Sequence, residues 1–230
     1  MRLSVIIPAY NEAGTIAQII NQVKAAALPG NLEREIIVVN DGSTDATAAI
    51  VGQFLKDSVV RLFNQENKGK TAAVLKGIEN ATGDMIIIQD ADLEYHPSQY
   101  AKLVKPIMDG EHRVVYGSRF MGSIQNMKPQ IRLVNFLTNL TLNLIYRTRL
   151  TDINTCFKVF QKEVLKDIRI ISTQFGFDTE VTVKLIQKGV FIHEIPIDYV
   201  GRSRKEGKKI GFVTGFGSYL QIFRFTFIRK

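Results

Sequence analysis

The sequence predicts an α/β fold, a mostly parallel central sheet flanked by helices. Three observations carry that expectation. Compact β-branched runs are bounded by turn or polar residues, apolar residues at helical spacing lie between them, and carboxylate-bearing turns follow the runs at once. In such a sheet ligands sit at the carboxyl ends of the strands, so the chemistry should appear just after each run.

The elements follow in order. Leu3–Ile7 reads as the first buried strand, and Ile16, Ile19, Ile20 and Val23 then recur at helical spacing. Glu35–Val39 and Val59–Phe63 supply the second and third strands, and Thr71–Ala81 a helix. Met85–Gln89 is the most hydrophobic strand, followed by a Ser98–Met108 helix that Pro97 opens at a first-turn position, then by the strand Arg113–Tyr116. From Ile131 to Arg147 the residues Leu133, Phe136, Leu137, Leu140 and Leu144 mark an amphipathic helix with Arg132, Arg147 and Arg149 near its ends. Such a helix either packs on the sheet or lies partly in lipid. A second segment of this kind, Phe212–Ile228, is rich in Phe and Tyr and is followed by Arg229 and Lys230. With no repeat, low-complexity tract or long linker, one domain over residues 1–230 is expected.

At 230 residues, 45% of them hydrophobic, the chain can bury a core without disulfides or a structural metal. Its one cysteine, Cys156, lies in the apolar-aromatic run Cys-Phe-Lys-Val-Phe, reads as a small buried hydrophobe and fits a reducing compartment. The apolar run after Met1 is too short for a signal peptide and Pro8 breaks it, so cytoplasmic residence is expected. Leu133–Tyr146 is shorter than the roughly 20 residues a bilayer span needs and carries Asn135, Asn139 and Asn143. The net charge of +8 is uneven. Six basic residues and no acid lie between His112 and Thr151, and eight basic residues stand against Glu206 alone from Gly201 to Lys230. The rest of the chain sums to −5, so an anionic partner is expected at the second half: nucleic acid, a phospholipid surface or a phosphorylated substrate.

Three turns place carboxylates at strand mouths. Pro8-Ala9-Tyr10-Asn11-Glu12 follows the first strand and Asn40-Asp41-Gly42-Ser43-Thr44-Asp45 the second, where a nucleotide base or ribose can be read by hydrogen bonds. A turn with Asp45 as a helix N-cap would explain the second motif structurally. After the fourth strand, Asp90, Asp92 and Glu94 stand at alternate positions, which costs repulsion unless a cation lies between them. Such hard oxygen ligands suit Mg²⁺ or Mn²⁺, with water and substrate phosphates completing the shell. Other motifs fail on spacing. Gly69-Lys70-Thr71 lacks the upstream P-loop glycine because Asn64 stands there, Tyr95 occupies the EF-hand glycine position after Asp90-Ala91-Asp92, and no Gly-x-Gly-x-x-Gly follows the first strand. His96, His112 and His193 are scattered.

Those turns, with Asn67-Lys68-Gly69-Lys70 and Tyr116-Gly117-Ser118-Arg119-Phe120 and in this order, resemble family-two GT-A glycosyltransferases over nearly the whole chain. The segments Asp152–Lys158, Phe175–Glu180 and Gly201–Gly211 are most similar to the dolichyl-phosphate mannose synthase-like branch. The resemblance implies a GT-A fold with a nucleotide-sugar-binding half, residues 1–120, and an acceptor-binding half, residues 121–230. It implies that Pro8, Tyr10, Glu12, Val39 and Asp41 hold the nucleoside, that Ala91 approaches it through backbone, and that Asp90 and Asp92 flank the metal with Glu94 completing its shell. Arg119, Arg132 and Arg202 match phosphate-gripping positions, Asn135 stands where relatives place an acceptor-contacting serine, and Lys209, with Lys208 as a rival, matches a loop lysine.

An anionic phosphate acceptor needs orientation by arginines more than a strong base, whereas an alcohol needs a positioned base. No tryptophan is present, so the Gln-x-x-Arg-Trp element of processive polysaccharide synthases is absent. The expectation is a metal-dependent, inverting transferase that moves a hexose of mannose or glucose type from a GDP- or UDP-sugar to a polyprenyl or dolichyl phosphate. It would work peripherally at the cytoplasmic face of a membrane, with Asp92 and Arg202 as the catalytic residues. The alternatives are transfer to a hydroxyl of a glycan or glycolipid, or a nucleotide-sugar-binding protein without catalysis. Nucleic acid is not expected as a partner, since no recognition motif accompanies the charge.

Overall fold

The computed structural model describes residues 1–174, 176–202 and 220–226. The first half follows the expected alternation: β1 (Arg2–Ala9), α1 (Ile16–Ala25), β2 (Glu33–Asp41), α2 (Thr47–Gly52), β3 (Val60–Gln65), α3 (Lys70–Asn80) and β4 (Met85–Ile88). A 3-10 turn at Pro97–Gln99 leads into α4 (Tyr100–Met108), and β5 (Val114–Ser118) follows. The second half supplies β6 (Ile124–Gln125), α5 (Pro129–Tyr146), β7 (Lys158–Gln161), α6 (Lys162–Lys166), α7 (Phe177–Gln187), β8 (His193–Pro196) and β9 (Tyr199–Val200).

Among the described residues, seven strands form one sheet in the order β3-β2-β1-β4-β7-β5-β8. Every neighbouring pair is parallel except those made by β7, which runs antiparallel to both β4 and β5. This is the mostly parallel sheet the apolar runs predict. β7 grows from the Cys156 run, comes from beyond residue 120, and still lies between two first-half strands, so both halves share one sheet. β6 and β9 form a separate parallel pair.

The core explains the helix positions. α1 buries Ile16, Ile19, Ile20 and Val23, the residues at helical spacing, while all four residues of β4 are buried. α3 packs closely against β1 because position 77 is glycine: a Cβ there would lie 2.3 Å from the Ile6 Cγ2.

α5 is inverted relative to a core helix. Its buried residues are Val134, Asn135, Thr138, Asn139 and Leu142, whereas Leu133, Phe136, Leu137, Leu140 and Leu144 are all exposed. The inward amides are satisfied. Asn139 donates to the Thr151 carbonyl at 2.5 Å and accepts from the Ile153 N–H at 3.0 Å, and Asn143 donates to the Leu150 carbonyl at 2.8 Å and accepts from its N–H at 2.9 Å. Packing of the leucine face on the sheet is therefore corrected: a polar ladder docks the helix, and its apolar stripe faces outward. Among the described residues no helix is long and apolar enough to cross a membrane. The expectations for Phe175, Lys208, Lys209 and Gly211, and for most of Phe212–Ile228, fall outside the described residues, although residues 220–226 are helical.

Candidate active site

β2, β1 and β4 are neighbours, so their carboxyl ends open side by side. The two turns after β1 and β2 are laced together: the Asn11 N–H donates to Ser43 Oγ at 2.9 Å, Asn11 Oδ1 accepts from the Thr44 N–H at 2.8 Å, and the Glu12 N–H donates to Thr47 Oγ1 at 2.9 Å. Asp45 accepts from the N–H groups of Ala13 and Thr47, so it braces both turns and the start of α2. Asp41 is buried and accepts from the Gln65 side chain at 2.7 Å and from the N–H groups of Lys68 and Gly69 at 2.9 and 2.8 Å. Its carboxylate thereby shapes the loop that enters α3. In that loop Gly69 has φ +90°, and a Cβ on it would meet the Gln174 Cα at 2.7 Å.

These turns enclose a cavity of about 520 Å³. Pro8, Tyr10, Glu12, Asp41, Asp90, Ala91, Asp92, Glu94 and Arg202 all line it, as the sequence leads one to expect. Arg202 lies among acids, with Nη2 3.0 Å from Asp92 Oδ2 and Nη1 3.6 Å from Glu12 Oε2, while its backbone N–H donates to Glu94 Oε1 at 2.8 Å. Asp90 instead pairs with Lys70, at 2.5 Å. Burial, helped by the Asp90 and Glu94 charges, pushes the Asp92 carboxyl up to about 7 against the pull of Arg202. Burial would lower the Lys70 ammonium, but the surrounding negative charge, Asp90 foremost, together outweighs it and holds this lysine charged.

The structure rearranges other expected roles. Val39 is fully buried in β2 and does not line the cavity. Among the described residues no three Asp, Glu, His or Cys side chains converge as a cage for a cation, so the three-carboxylate shell of Asp90, Asp92 and Glu94 is not preassembled. The reason is competition: Lys70 takes one carboxylate and Arg202 draws the other two. Arg119 is buried, with Nε and Nη2 2.7 and 2.8 Å from the two Asp152 oxygens, so its fork is already committed. Arg132 lines a second, apolar cavity of about 630 Å³ with Phe120, Leu133, Phe136 and Leu140, whereas Asn135 is buried and does not line it, accepting from the Asn154 side chain at 2.9 Å. The three guanidiniums matched to phosphate-gripping positions therefore occupy three settings.

Lys70 and Gln174 line the first cavity without having been assigned a role from the sequence. Lys70 stood in the Asn67–Lys70 motif and was detectable as a basic residue opening a helix. Gln174, at φ +52°, accepts through its carbonyl from the N–H and hydroxyl of Thr71, a contact across 103 residues with no local sequence signal.

Residues 4–169 match the profile of Glycosyl transferase family 2. The chain is 29% identical over 219 residues to the dolichol-phosphate mannosyltransferase of Pyrococcus furiosus, covering 92% of this chain and 60% of that protein. Two Haloferax volcanii proteins are also similar. Glycosyltransferase AglD is 28% identical over 228 residues, covering 96% of this chain and 36% of that protein. The low-salt glycan biosynthesis hexosyltransferase Agl6 is 32% identical over 200 residues, covering 86% and 47%. The chain thus spans between 36% and 60% of the length of these relatives. Among solved structures, glucosyl-3-phosphoglycerate synthase from Mycobacterium tuberculosis in complex with UDP superposes with a TM-score of 0.74 at 17% identity, covering 96% of this chain and 77% of that one. At that identity the likeness shows the fold, here the GT-A α/β arrangement.

Proposed function

The chain belongs to glycosyl transferase family 2, and from that premise we propose that it transfers a hexose, with inversion, from a nucleoside-diphosphate sugar to a polyprenyl phosphate at a membrane surface. The cavity at the ends of β1, β2 and β4 is the donor site in this reading, with Pro8, Tyr10, Glu12 and Asp41 around the nucleoside and Arg202 and Lys70 supplying positive charge for the diphosphate.

A divalent cation fits the donor set in a specific form. Mg²⁺ is commonly held by one or two carboxylates with substrate phosphates completing its shell, and Asp92, raised by burial and then by the Asp90 and Glu94 charges, is a carboxylate that gains from a cation. Asp90 and Asp92 would hold it, and bound there it would neutralise charge on the departing diphosphate. The M. tuberculosis synthase has been crystallised with Mn²⁺, UDP-glucose and phosphoglyceric acid together, which supports a metal-assisted reading for the shared fold. Within the chain, Arg202 would leave its carboxylates for the diphosphate oxygens, while an acceptor phosphate oxygen attacks the anomeric carbon in line.

The observation that carries the acceptor assignment is the inverted α5. Its exposed leucine and phenylalanine stripe, with Arg132 on the groove beside it and no acid between His112 and Thr151, suits an isoprenoid chain and anionic headgroups. The name of the Pyrococcus relative points to the same lipid class. A hydroxyl acceptor would need a positioned base, whereas a phosphate acceptor is already anionic and needs none.

The test is steady-state transfer from GDP- and UDP-hexoses to polyprenyl phosphate beside a panel of alcohol acceptors. EDTA should abolish transfer and Mg²⁺ or Mn²⁺ restore it, and Asp92→Asn should lower turnover by on the order of a hundredfold or more. Full activity in chelator sinks the metal-assisted step, and preference for a sugar hydroxyl replaces the lipid phosphate by a glycan acceptor.

A further inference from the structure

Glu94 holds the segment that leads to Arg202 through three contacts. Its Oε2 accepts a 2.6 Å hydrogen bond from the Tyr199 hydroxyl, its Oε1 accepts the Arg202 N–H at 2.8 Å, and its backbone carbonyl accepts the Val200 N–H at 3.2 Å. One residue of the β4 turn thus grips three of the four residues from 199 to 202. β9 adds to the grip by pairing with β6, and the Gly201 N–H donates to the Gln125 carbonyl at 2.9 Å.

Tyr199 is itself held on every side. It is 3% exposed, its ring lies edge-on to Tyr95 at 5.2 Å, and the Arg119 guanidinium sits 5.2 Å from its centroid. Arg119 in turn is locked by Asp152. A continuous chain of contacts therefore runs Asp152, Arg119, Tyr199, Glu94, Arg202. A buried phenol needs an acceptor and a buried carboxylate needs donors, and here each satisfies the other. The result is a fixed backbone position for Arg202, whose guanidinium lies in the donor cavity.

We propose that Tyr199 is a positioning residue that acts through Glu94 to set Arg202, with Glu94 as the strut between them. The proposal rests on the transferase reading. It also gives the buried Arg119–Asp152 pair a purpose: the pair backs the ring that carries the strut.

Tyr199→Phe removes one hydroxyl and keeps the ring contacts. A misplacement of about 1 Å can cost on the order of a hundredfold in rate, so kcat should fall at least tenfold while the KM for donor changes less than about twofold. Binding of Mn²⁺ in the presence of UDP or GDP, read by electron paramagnetic resonance of the free ion, should be unchanged in Tyr199→Phe and lost in Asp92→Asn. The double variant Tyr199→Phe/Glu94→Gln should be no slower than Glu94→Gln alone, since the two residues act in series. Circular dichroism sets an assay temperature at which each variant is folded. Wild-type kcat in Tyr199→Phe, additive effects in the double variant, or loss of Mn²⁺ binding in Tyr199→Phe would each overturn the proposal. Absence of any nucleotide-sugar turnover by the wild type defeats the transferase reading itself, which is a distinct result.

Discussion

At the scale of single residues, charge pairing decides which side chains are available for chemistry. Arg119 and Asp152 are 8% and 0% exposed as side chains and meet through two hydrogen bonds, with a third from the Arg119 N–H to Asp152 Oδ2 at 3.0 Å. Removing one member of such a pair leaves the other charge buried without compensation. Asp152→Asn should therefore lower unfolding free energy by roughly 3 kcal/mol or more, measured by denaturant titration. A variant as stable as the wild type but with a weakened lipid-phosphate KM would return Arg119 to the acceptor site. The sequence placed Arg119 beside a strand end correctly, but its partner Asp152 is 33 residues away, and no spacing rule announces that contact.

At the scale of elements, α5 shows how one periodicity serves two opposite orientations. The apolar spacing marks an amphipathic helix whichever face points inward. Local sequence does not say what lies opposite, and here Thr151, Ile153 and Asn154 offer polar partners to Asn139 and Asn135. Phe136 and Leu140 are 57% and 42% exposed, so the double change Phe136→Glu/Leu140→Glu should shift stability by no more than about 0.5 kcal/mol per site. It should nevertheless weaken binding to anionic liposomes at least tenfold in a sedimentation assay, and wild-type binding should decline as salt rises. Unchanged liposome binding would mean that a protein partner or a further part of the chain covers this face.

At the scale of the whole molecule, Glu35 joins four parts of the sheet at the end opposite the cavity. It accepts from Ser4 Oγ on β1 at 2.6 Å, from the N–H and hydroxyl of Thr82 at 2.6 and 2.9 Å, from the Gly83 N–H at 3.1 Å and from Arg61 on β3 at 3.2 Å. Burial would raise its carboxyl, but these donors outweigh burial and hold it below the ordinary glutamate range. A depressed folded-state pKa contributes stability above the unfolded value of about 4.3 and loses it as pH falls through the folded value. Glu35→Gln should thus cost about 2 kcal/mol at neutral pH, and the gap to wild type should narrow below about pH 4, read from urea midpoints across a pH series. A gap independent of pH would show that Glu35 acts by packing alone.

Much of this protein was written in its local sequence. Buried parallel strands need near-continuous apolar runs, so β1 to β5 were legible, and ligand-bearing turns must follow such strands, so Pro8, Glu12, Asp41, Asp90 and Asp92 were legible at strand mouths that line one cavity, whereas Arg202, which lines it too, was matched through the family resemblance. β7, β8 and β9 were not legible, because runs of two to four residues carry too little pattern to separate a strand from a loop. Only the tertiary structure decided that Arg119 is spent on Asp152, that Glu94 braces Arg202, and that α5 turns its leucines outward. Each of these outcomes depends on a partner far away in the chain. Periodicity and motif spacing are properties of neighbours in sequence, whereas hydrogen-bond and charge satisfaction are settled among neighbours in space.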